Sequence, residues 1–310
     1  MAAFTTFTES ALRRYLSIYG LGELKAYAPI TAGIENSNYY VTLVNEAIDY
    51  HFVLTINESL NFEQAPFFSQ LLDKLAGQGL PVPAPHRTLD GMSSTIFCGK
   101  PTWLFPLLPG EHPDPVSGPQ CRVIGASLAK LHIAAGTLKR QRANPYSKDW
   151  LEVTYRANRW RLTPEEQSCL DEIAAEYSHL QNLTLPTGII HGDLFRDNAL
   201  FVGDELTGII DFYHACTDYL AQDLAITIND WCSDETGLMH PPLRDCLIEG
   251  YETVRPLEPA EHDYLIAFQR VGAMRFALTR FVSDSGDGPL KDPAEFLRIA
   301  RQLSSAKLAS

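Results

Sequence analysis

The stretch that decides the fold lies at residues 191–198 and reads HGDLFRDN. It places an aspartate, Asp193, five positions before an amide, Asn198. Residues 199–210 then read ALFVGDELTGII, two short apolar segments around a Gly-Asp-Glu turn, and Asp211 closes the run. Such a pattern predicts a β-hairpin, which would fold Asp211 back beside Asn198.

These three side chains form an acid-amide-acid set that suits phosphoryl transfer. Asp193 is placed to accept the proton of a hydroxyl group. Asn198 and Asp211 offer the hard oxygen ligands that hold Mg²⁺ against the phosphates of ATP. The protein-kinase catalytic loop uses the same spacing between its aspartate and its asparagine. The stretch therefore predicts an ATP- and Mg²⁺-dependent kinase site.

Two other interpretations of the motif remain open at this point. His-Gly-Asp also occurs in ordinary turns, where aspartate side chains cap backbone N–H groups. A metallohydrolase site would instead use His191, Asp193, Asp211 and His214 as ligands. The second interpretation is weaker, because neither histidine belongs to a helical i,i+4 ligand pair of the usual zinc type. We expect His191 to act as a structural brace of the loop.

Composition narrows the classes of partner. The chain has 310 residues, with 25 Lys and Arg against 38 Asp and Glu, for a net charge of −13. This surplus argues against nucleic acids and anionic membranes as partners, and a small-molecule substrate is expected instead. It does not argue against ATP, because a metal ion and local N–H groups neutralise phosphates.

Cysteine usage and hydropathy predict a cytoplasmic protein. No C-x-x-C pair occurs, and reduced thiols in apolar contexts are expected. No run of 18 apolar residues and no signal peptide are found in the sequence. The six cysteines are Cys98, Cys121, Cys169, Cys216, Cys232 and Cys246.

The periodicity changes along the chain and predicts two lobes. Residues 1–104 are strand-rich, with strands at 39–44 and 50–56, and form a predicted nucleotide-binding lobe. Residues 105–110 are a predicted hinge, and residues 111–310 a helical catalytic and substrate lobe. In the second lobe, helices are predicted at 121–135, 150–161, 164–180, 220–232, 242–254, 259–281 and 293–303.

Two segments of the first lobe are candidates for contact with the nucleotide. A small-residue loop between strands can bring its backbone N–H groups close to phosphates, although a plain β-turn explains it as well. The apolar stretch 102–110 would offer adenine a slot at the hinge, or would be a simple edge strand and linker. The candidate residues are Gly33, Asn36, Ser37 and Asn38 in the loop and Phe105 and Leu107 at the hinge.

Taken together, these motifs resemble the aminoglycoside phosphotransferase and choline kinase superfamily, and within it the bacterial homoserine kinases. The resemblance implies an α+β, bilobal protein-kinase-like fold with a small antiparallel-sheet N-lobe and a larger, mainly helical C-lobe. It covers nearly the whole chain. The matching stretches are 35–39, 52–55, 193–198, 208–213, 223–225, 229–232, 255–257 and 275–276.

The resemblance also implies roles for individual residues. Asp193 would be the base that orients the hydroxyl, Asn198 and Asp211 the Mg²⁺ ligands, and Asp223 a brace of the catalytic loop. One departure is Thr55, a further candidate for contact with the nucleotide, which stands where kinase-like folds usually carry a lysine that holds the phosphates. No lysine lies between Lys25 and Lys74, so the phosphate clamp remains unassigned.

The resemblance implies L-homoserine as the acceptor of the phosphoryl group. Homoserine is a zwitterion, so its pocket needs an anion for the ammonium and an arginine for the carboxylate. Asn229, Asp230, Arg275 and Arg280 are the candidates, although each also suits a structural role. Choline, an aminoglycoside or a sugar are alternative acceptors, and Thr55 leaves open a catalytically silent nucleotide-binding regulatory module.

Overall fold

The computed structural model describes residues 5–31, 35–234, 236–283 and 292–308. The chain divides into two compact units, Met1–Gly110 and Glu111–Ser310. No helix within the described ranges is long and apolar enough to cross a membrane.

The first unit is built on a five-stranded antiparallel sheet with the strand order β1-β2-β3-β5-β4. Its buried face packs against α1 and is apolar, as the alternation of Tyr39, Val41 and Leu43 in β2 requires. The elements are α1 (Glu9–Leu16), β1 (Glu23–Pro29), β2 (Asn36–Asn45), β3 (Ile48–Asn57), α2 (Ala65–Gly77), β4 (Thr95–Phe97) and β5 (Lys100–Pro106).

The β2–β3 hairpin fixes the register of this sheet. Asn45 pairs with Ile48, so Glu46 and Ala47 form a two-residue turn, and both have positive φ values, 49° and 66°. This is the turn geometry that matches the twist of two antiparallel strands. Thr55 of β3 consequently lies opposite Asn38 of β2.

The second unit is mainly helical. Its helices are α3 (Gly118–Ala135), α4 (Lys148–Asn158), α5 (Pro164–Leu180), α6 (Leu220–Trp231), α7 (Pro241–Glu252), α8 (Pro259–Val282) and α9 (Pro293–Leu308). Two short antiparallel ribbons complete it, β6 (Thr187–Ile190) with β9 (Cys216–Tyr219), and β7 (Ala199–Val202) with β8 (Glu205–Ile209).

Helix α6 forms the centre of this unit, since all 12 of its residues are buried. A polar side chain on such a helix must find partners inside the protein, because an unpaired buried polar group is costly. Helices α3 and α7 cross at very short range. A Cβ atom added to Gly125 would lie 2.0 Å from the carbonyl oxygen of Leu247, and one added to Gly250 would lie 2.0 Å from that of Arg122.

Candidate active site

The loop 191–198 connects the two ribbons, and the hairpin β7–β8 is present as expected, with β8 beginning one residue earlier than predicted. Ala199 pairs with Ile209 in the ladder, and the N–H group of Ile210 donates to the carbonyl oxygen of Asn198 at 3.0 Å. Asp211 therefore follows directly the residue that is hydrogen-bonded to Asn198.

Asn198 is also tied to Asp193. Its amide nitrogen donates to the backbone carbonyl of Asp193 at 2.8 Å and to the carboxylate Oδ2 of Asp193 at 3.2 Å. With the amide nitrogen directed at Asp193, the amide oxygen is the atom of Asn198 left to serve a cation. The structure thus brings the three predicted residues to one end of the hairpin.

Asp211 adopts a left-handed backbone conformation, with φ 62° and ψ 60°. Only glycine, asparagine and aspartate visit this region routinely, and other residues pay a steric cost there. The conformation ends β8 and turns the chain sharply into a short 3₁₀ turn at Phe212–His214. The aspartate at 211 is therefore compatible with a backbone that most residues would resist.

His191 lies beneath the loop and is fully buried. Its Nε2 bonds the carbonyl oxygen of Ile210 at 3.0 Å, and its Nδ1 accepts a hydrogen bond from the N–H group of Asp193 at 3.2 Å. Burial lowers the pKa of His191 to about 4, so the ring is neutral and carries its proton on Nε2. These contacts join the start of the loop to the end of β8.

Asp223 on α6 holds the backbone of the loop from below. Its carboxylate accepts hydrogen bonds from the N–H groups of His191 and Gly192, both at 2.7 Å. It accepts a third from Nε2 of His132 at 3.0 Å. Burial alone would raise the pKa of Asp223, but the hydrogen bond and charge of His132 bring it below its usual value. The geometry is that of a brace and leaves Asp223 remote from solvent.

Gly192 has φ 76°, and a Cβ atom there would lie 3.1 Å from the carbonyl oxygen of His214. Both the backbone angle and the close approach favour glycine at this position. The carbonyl oxygen of Gly192 accepts a hydrogen bond from Nη1 of Arg275 at 2.6 Å. His214 in turn lies near the carboxylate of Asp193, with its Nε2 4.0 Å from Oδ2.

The metallohydrolase interpretation has no support in the described part of the chain. There, no three or more His, Cys, Asp or Glu side chains are grouped so that they could hold a metal ion. His191 uses both of its ring nitrogens in hydrogen bonds within the protein. The acid-amide pair Asn198 and Asp211 remains the candidate cation site.

The predicted substrate residues separate into different environments. Asp230 is buried under the loop and accepts the N–H group of Arg196 at 2.7 Å and its Nε at 3.2 Å. Asn229 is buried against α8, where its amide donates to the carbonyl oxygen of Gln269 at 2.7 Å. Both side chains are engaged in contacts within the protein, which favour a structural role over the predicted contact with the substrate.

The two predicted arginines also differ. Arg280 binds the carbonyl oxygen of Asp292 at 2.6 Å and the carboxylate of Glu295 at 2.7 Å, which ties α8 to α9. These contacts favour a structural role for Arg280 over its predicted role as a substrate ligand. Arg275, in contrast, reaches the catalytic loop through Gly192, and it remains a candidate.

The predicted nucleotide residues all belong to the first unit. Asn36 and Asn38 lie on the same face of the sheet as Thr55, because Asn38 pairs with Thr55 and residues alternate along a strand. Ser37 faces the other way and forms hydrogen bonds with Thr5 and Glu58, which favour a structural role over the predicted contact with the nucleotide. Gly33 lies outside the described residues.

Lys100 does not replace the phosphate-binding lysine that kinase-like folds usually carry at the position of Thr55. Lys100 bonds Glu58 and Thr5 on the Ser37 face of the sheet, opposite the face of Thr55. At the predicted hinge, Phe105 is buried opposite Val53, whereas Leu107 is exposed and its N–H group donates to the carbonyl oxygen of His51 at 3.1 Å.

Three residues near the loop were not singled out from the sequence: His132, Arg142 and Tyr146. In the sequence, nothing distinguishes His132 from the other polar residues of α3. Arg142 and Tyr146 lie between α3 and α4 in a segment without a motif. No sequence motif marks these residues, because they are brought near the loop by tertiary packing alone.

A family model described as the phosphotransferase enzyme family matches residues 26–259. The chain belongs to the phosphotransferase enzyme family. Family relatives align along its full length: the homoserine kinase of Agrobacterium fabrum is 37% identical over 310 residues, which cover 97% of this chain and 95% of the relative. That of Pseudomonas aeruginosa is 36% identical over 309 residues, covering 97% and 96%.

Solved structures confirm the fold class of this family member. The amicoumacin kinase hAmiN superposes with a TM-score of 0.75 at 14% sequence identity, covering 97% of this chain and 94% of its own. Choline kinase from Cryptosporidium parvum gives 0.63 at 15% identity, covering 92% and 90%. The resemblance to aminoglycoside phosphotransferases and choline kinases that the motifs indicated, and the α+β kinase-like fold, are therefore confirmed.

Proposed function

We propose that this protein transfers the γ-phosphoryl group of ATP to the side-chain hydroxyl of L-homoserine. The observation that carries phosphoryl transfer is the hydrogen-bonded pair of Asp193 and Asn198 with Asp211 beside it. The acceptor is supported by the full-length similarity to homoserine kinases.

The residues present fit a magnesium ion. Mg²⁺ prefers oxygen ligands and binds kinase-type sites through one or two protein groups together with substrate phosphates. The amide oxygen of Asn198 and the carboxylate of Asp211 are such groups. When bound with ATP, Mg²⁺ supplies the positive charge that neutralises the phosphate oxygens.

Asp193 is the residue that acts on the hydroxyl group of the acceptor. Its carboxylate orients the homoserine hydroxyl and accepts its proton as the new O–P bond forms and the bond to the bridging oxygen of ADP breaks. Asn198 holds Asp193 from one side, and Asp223 fixes the backbone before it. The transition state is loose, so catalysis consists mainly of alignment and charge neutralisation.

The test compares Asp193→Asn with Asp204→Asn, a substitution of the same kind at the exposed hairpin turn. We expect Asp193→Asn to lower homoserine-dependent ADP release by at least about 10²-fold, with ATP binding retained. Asp204→Asn should keep the wild-type rate. Unchanged turnover in Asp193→Asn would contradict the mechanism.

The acceptor is tested separately with a panel of homoserine, choline, an aminoglycoside and a sugar. Formation of O-phosphohomoserine, followed by ³¹P NMR, is the expected result. Faster turnover of another acceptor would replace homoserine in the proposal. ATP binding without transfer to any acceptor would instead favour a silent nucleotide-binding module.

A further inference from the structure

Three arginines of helix α8 are buried, and one of them makes no direct ion pair with a carboxylate among the described residues. Arg270, Arg275 and Arg280 have relative exposures of 2%, 5% and 7%. Arg270 pairs with Glu176 at 2.7 Å, and Arg280 pairs with Glu295 at 2.7 Å. Arg275 forms no ion pair within 4.0 Å among the described residues. A buried guanidinium ordinarily requires such a partner, because removing an unpaired charge from water is costly.

The unused donors of Arg275 lie on one edge of its guanidinium group. Nη1 donates to the carbonyl oxygen of Gly192, whereas Nε and Nη2 have no hydrogen-bond partner in the described structure. The flat surfaces of the group are covered by the rings of Tyr146 and Phe276, whose centroids lie 4.2 and 4.4 Å from Cζ. Nε and Nη2 together form the fork that binds a carboxylate through two parallel hydrogen bonds.

The guanidinium of Arg275 and the carboxylate of Asp193 share neighbouring residues. The ring of Tyr146 contacts both Arg275 and His214, with a ring-centroid distance of 5.5 Å to the latter. His214 reaches to 4.0 Å from Asp193, and Arg275 itself holds the residue before Asp193. In extended homoserine the carboxyl carbon and the hydroxyl oxygen are about 5 Å apart, a span that suits neighbouring sites for the two groups.

A second guanidinium adds positive charge to the same region. Arg142 donates from Nη1 to the carbonyl oxygen of Ala215 at 2.9 Å. Burial lowers the pKa of Arg142, and the nearby positive charge of Arg275 lowers it further. Asp218, a buried carboxylate nearby, accepts hydrogen bonds from Asn144 and from the N–H group of Tyr219. The charge of Arg275 lowers the pKa of Asp218 against the larger effect of burial, which raises it, but the two side chains form no ion pair within 4.0 Å.

We propose that Arg275, with Arg142 beside it, binds the α-carboxylate of the acceptor and selects amino acids over simple amino alcohols. The inference rests on the proposed function and specifies the pocket of that site. The fork on Nε and Nη2 binds the carboxylate, and the hydroxyl at the other end of the acceptor faces Asp193.

A purely structural role would leave a different signature. If Arg275 only positioned the loop through Gly192, its replacement would slow all acceptors alike. If it binds the carboxylate, its replacement affects only acceptors that carry one. The pair L-homoserine and 3-aminopropan-1-ol separates the two roles, since the second compound keeps the amine and the hydroxyl but lacks the carboxylate.

The experiment measures kcat/KM for both compounds with the full-length protein. The wild-type protein should prefer homoserine by at least about 10²-fold, because the analogue leaves the buried fork unpaired. Arg275→Lys keeps the positive charge and hydrogen-bond donors but loses the planar fork that binds a carboxylate through two parallel hydrogen bonds. It should lower kcat/KM for homoserine at least about tenfold and leave that for 3-aminopropan-1-ol nearly unchanged.

Arg280→Lys is the matched control, a buried arginine on the same helix whose partner is Glu295; it should change both acceptors by the same factor. No wild-type preference for homoserine, or a parallel loss with both acceptors in Arg275→Lys, would overturn the inference while leaving the kinase activity in place. If Arg275→Lys does not fold by circular dichroism, Arg142→Lys and the wild-type ratio decide. Failure to phosphorylate homoserine at all would refute the proposed function itself, and the inference with it.

Discussion

The imidazole of His191 is neutral because it is buried, and both of its nitrogens are used by the loop. Nδ1 must accept from the N–H group of Asp193, while Nε2 bonds the carbonyl oxygen of Ile210. A second proton on Nδ1 would remove the first of these hydrogen bonds and place a charge in the interior. Protonation of His191 therefore opposes the folded loop.

This neutrality predicts a pH dependence of stability. The pKa of His191 is about 4 in the folded protein, against 6.5 as its ordinary value. Between these values the unfolded chain binds a proton that the folded protein does not, so the stabilisation is full above pH 6.5 and is lost as the pH falls towards 4. This difference in the pKa of His191 corresponds to a change of about 3 kcal/mol in the free energy of unfolding between pH 6.5 and pH 4.

Urea unfolding at pH 7 and pH 5 measures this contribution. The wild-type protein should lose more stability than His191→Asn between the two pH values, even though the variant is less stable throughout. His179→Asn, at an exposed histidine, should behave like the wild type. An identical loss in wild type and His191→Asn would show that another group causes the pH dependence.

Some residues of the site can be recognised from the sequence, and others cannot. Asp193, Asn198 and Asp211 are recognisable because one loop and one hairpin bring them together, so that spacing along the chain carries the geometry. Arg142 contacts Ala215 and Tyr146 contacts Arg275, so both residues are linked to the loop only through tertiary packing. Spacing along the chain contains no information about such contacts.

At the scale of elements, the crossing of α3 and α7 depends on two glycines. A Cβ atom at Gly125 or Gly250 would lie 2.0 Å from a backbone carbonyl oxygen, which cannot rotate away as a side chain would. An added methyl group would therefore push the two helices apart. His132 on α3 and Tyr251 on α7, joined by a hydrogen bond of 2.8 Å, lie along the same pair of helices.

Gly125→Ala should accordingly destabilise the protein by at least about 1–3 kcal/mol, the usual range for overpacking. This outcome reverses the ordinary preference, since alanine in a helix interior is favoured over glycine by roughly 0.5–1 kcal/mol. Chemical unfolding measures the difference.

Gly77→Ala is the matched control. Gly77 ends α2, and a Cβ atom there has no heavy atom within 4 Å. It should leave stability unchanged or raise it slightly. A Gly125→Ala protein as stable as the wild type would mean that α3 and α7 have room to separate.

Local capping sets the helix boundaries, and apolar periodicity alone does not always locate them. Helix α5 begins at Pro164 as expected, because Thr163 and Glu166 form a reciprocal capping box before it. Helix α4 was predicted at 150–161 but spans Lys148–Asn158, since Ser147 caps it earlier and residues 159–161 narrow to a 3₁₀ turn. The apolar periodicity locates a helix, whereas caps and terminal turns set its ends.

For the whole molecule, the excess of negative charge affects how nucleotides bind. The chain has a net charge of −13, and ATP is itself an anion. Unscreened repulsion opposes their association, so binding should depend strongly on a divalent ion at Asn198 and Asp211. Binding to the folded state raises stability by about 2.7 kcal/mol at a ligand concentration 100-fold above Kd.

Thermal unfolding with ATP and Mg²⁺ should therefore show a higher Tm than with ATP and EDTA. Asn198→Ala and Asp211→Asn should lose most of the metal-dependent increase. Glu205→Gln, at the first residue of β8, removes a charge elsewhere and should retain it. Equal Tm values with and without the ion in the wild-type protein would contradict a metal-dependent nucleotide site.

The left-handed backbone at Asp211 restricts how this position can change over evolutionary time. Few residues adopt that conformation without strain, and glycine and asparagine are foremost among the alternatives. Asparagine keeps the size of the side chain but removes its charge, and glycine removes the side chain altogether. A descendant that had abandoned catalysis yet kept this architecture would be expected to show one of these two residues at 211, and inspecting that single site would distinguish silent copies from working enzymes.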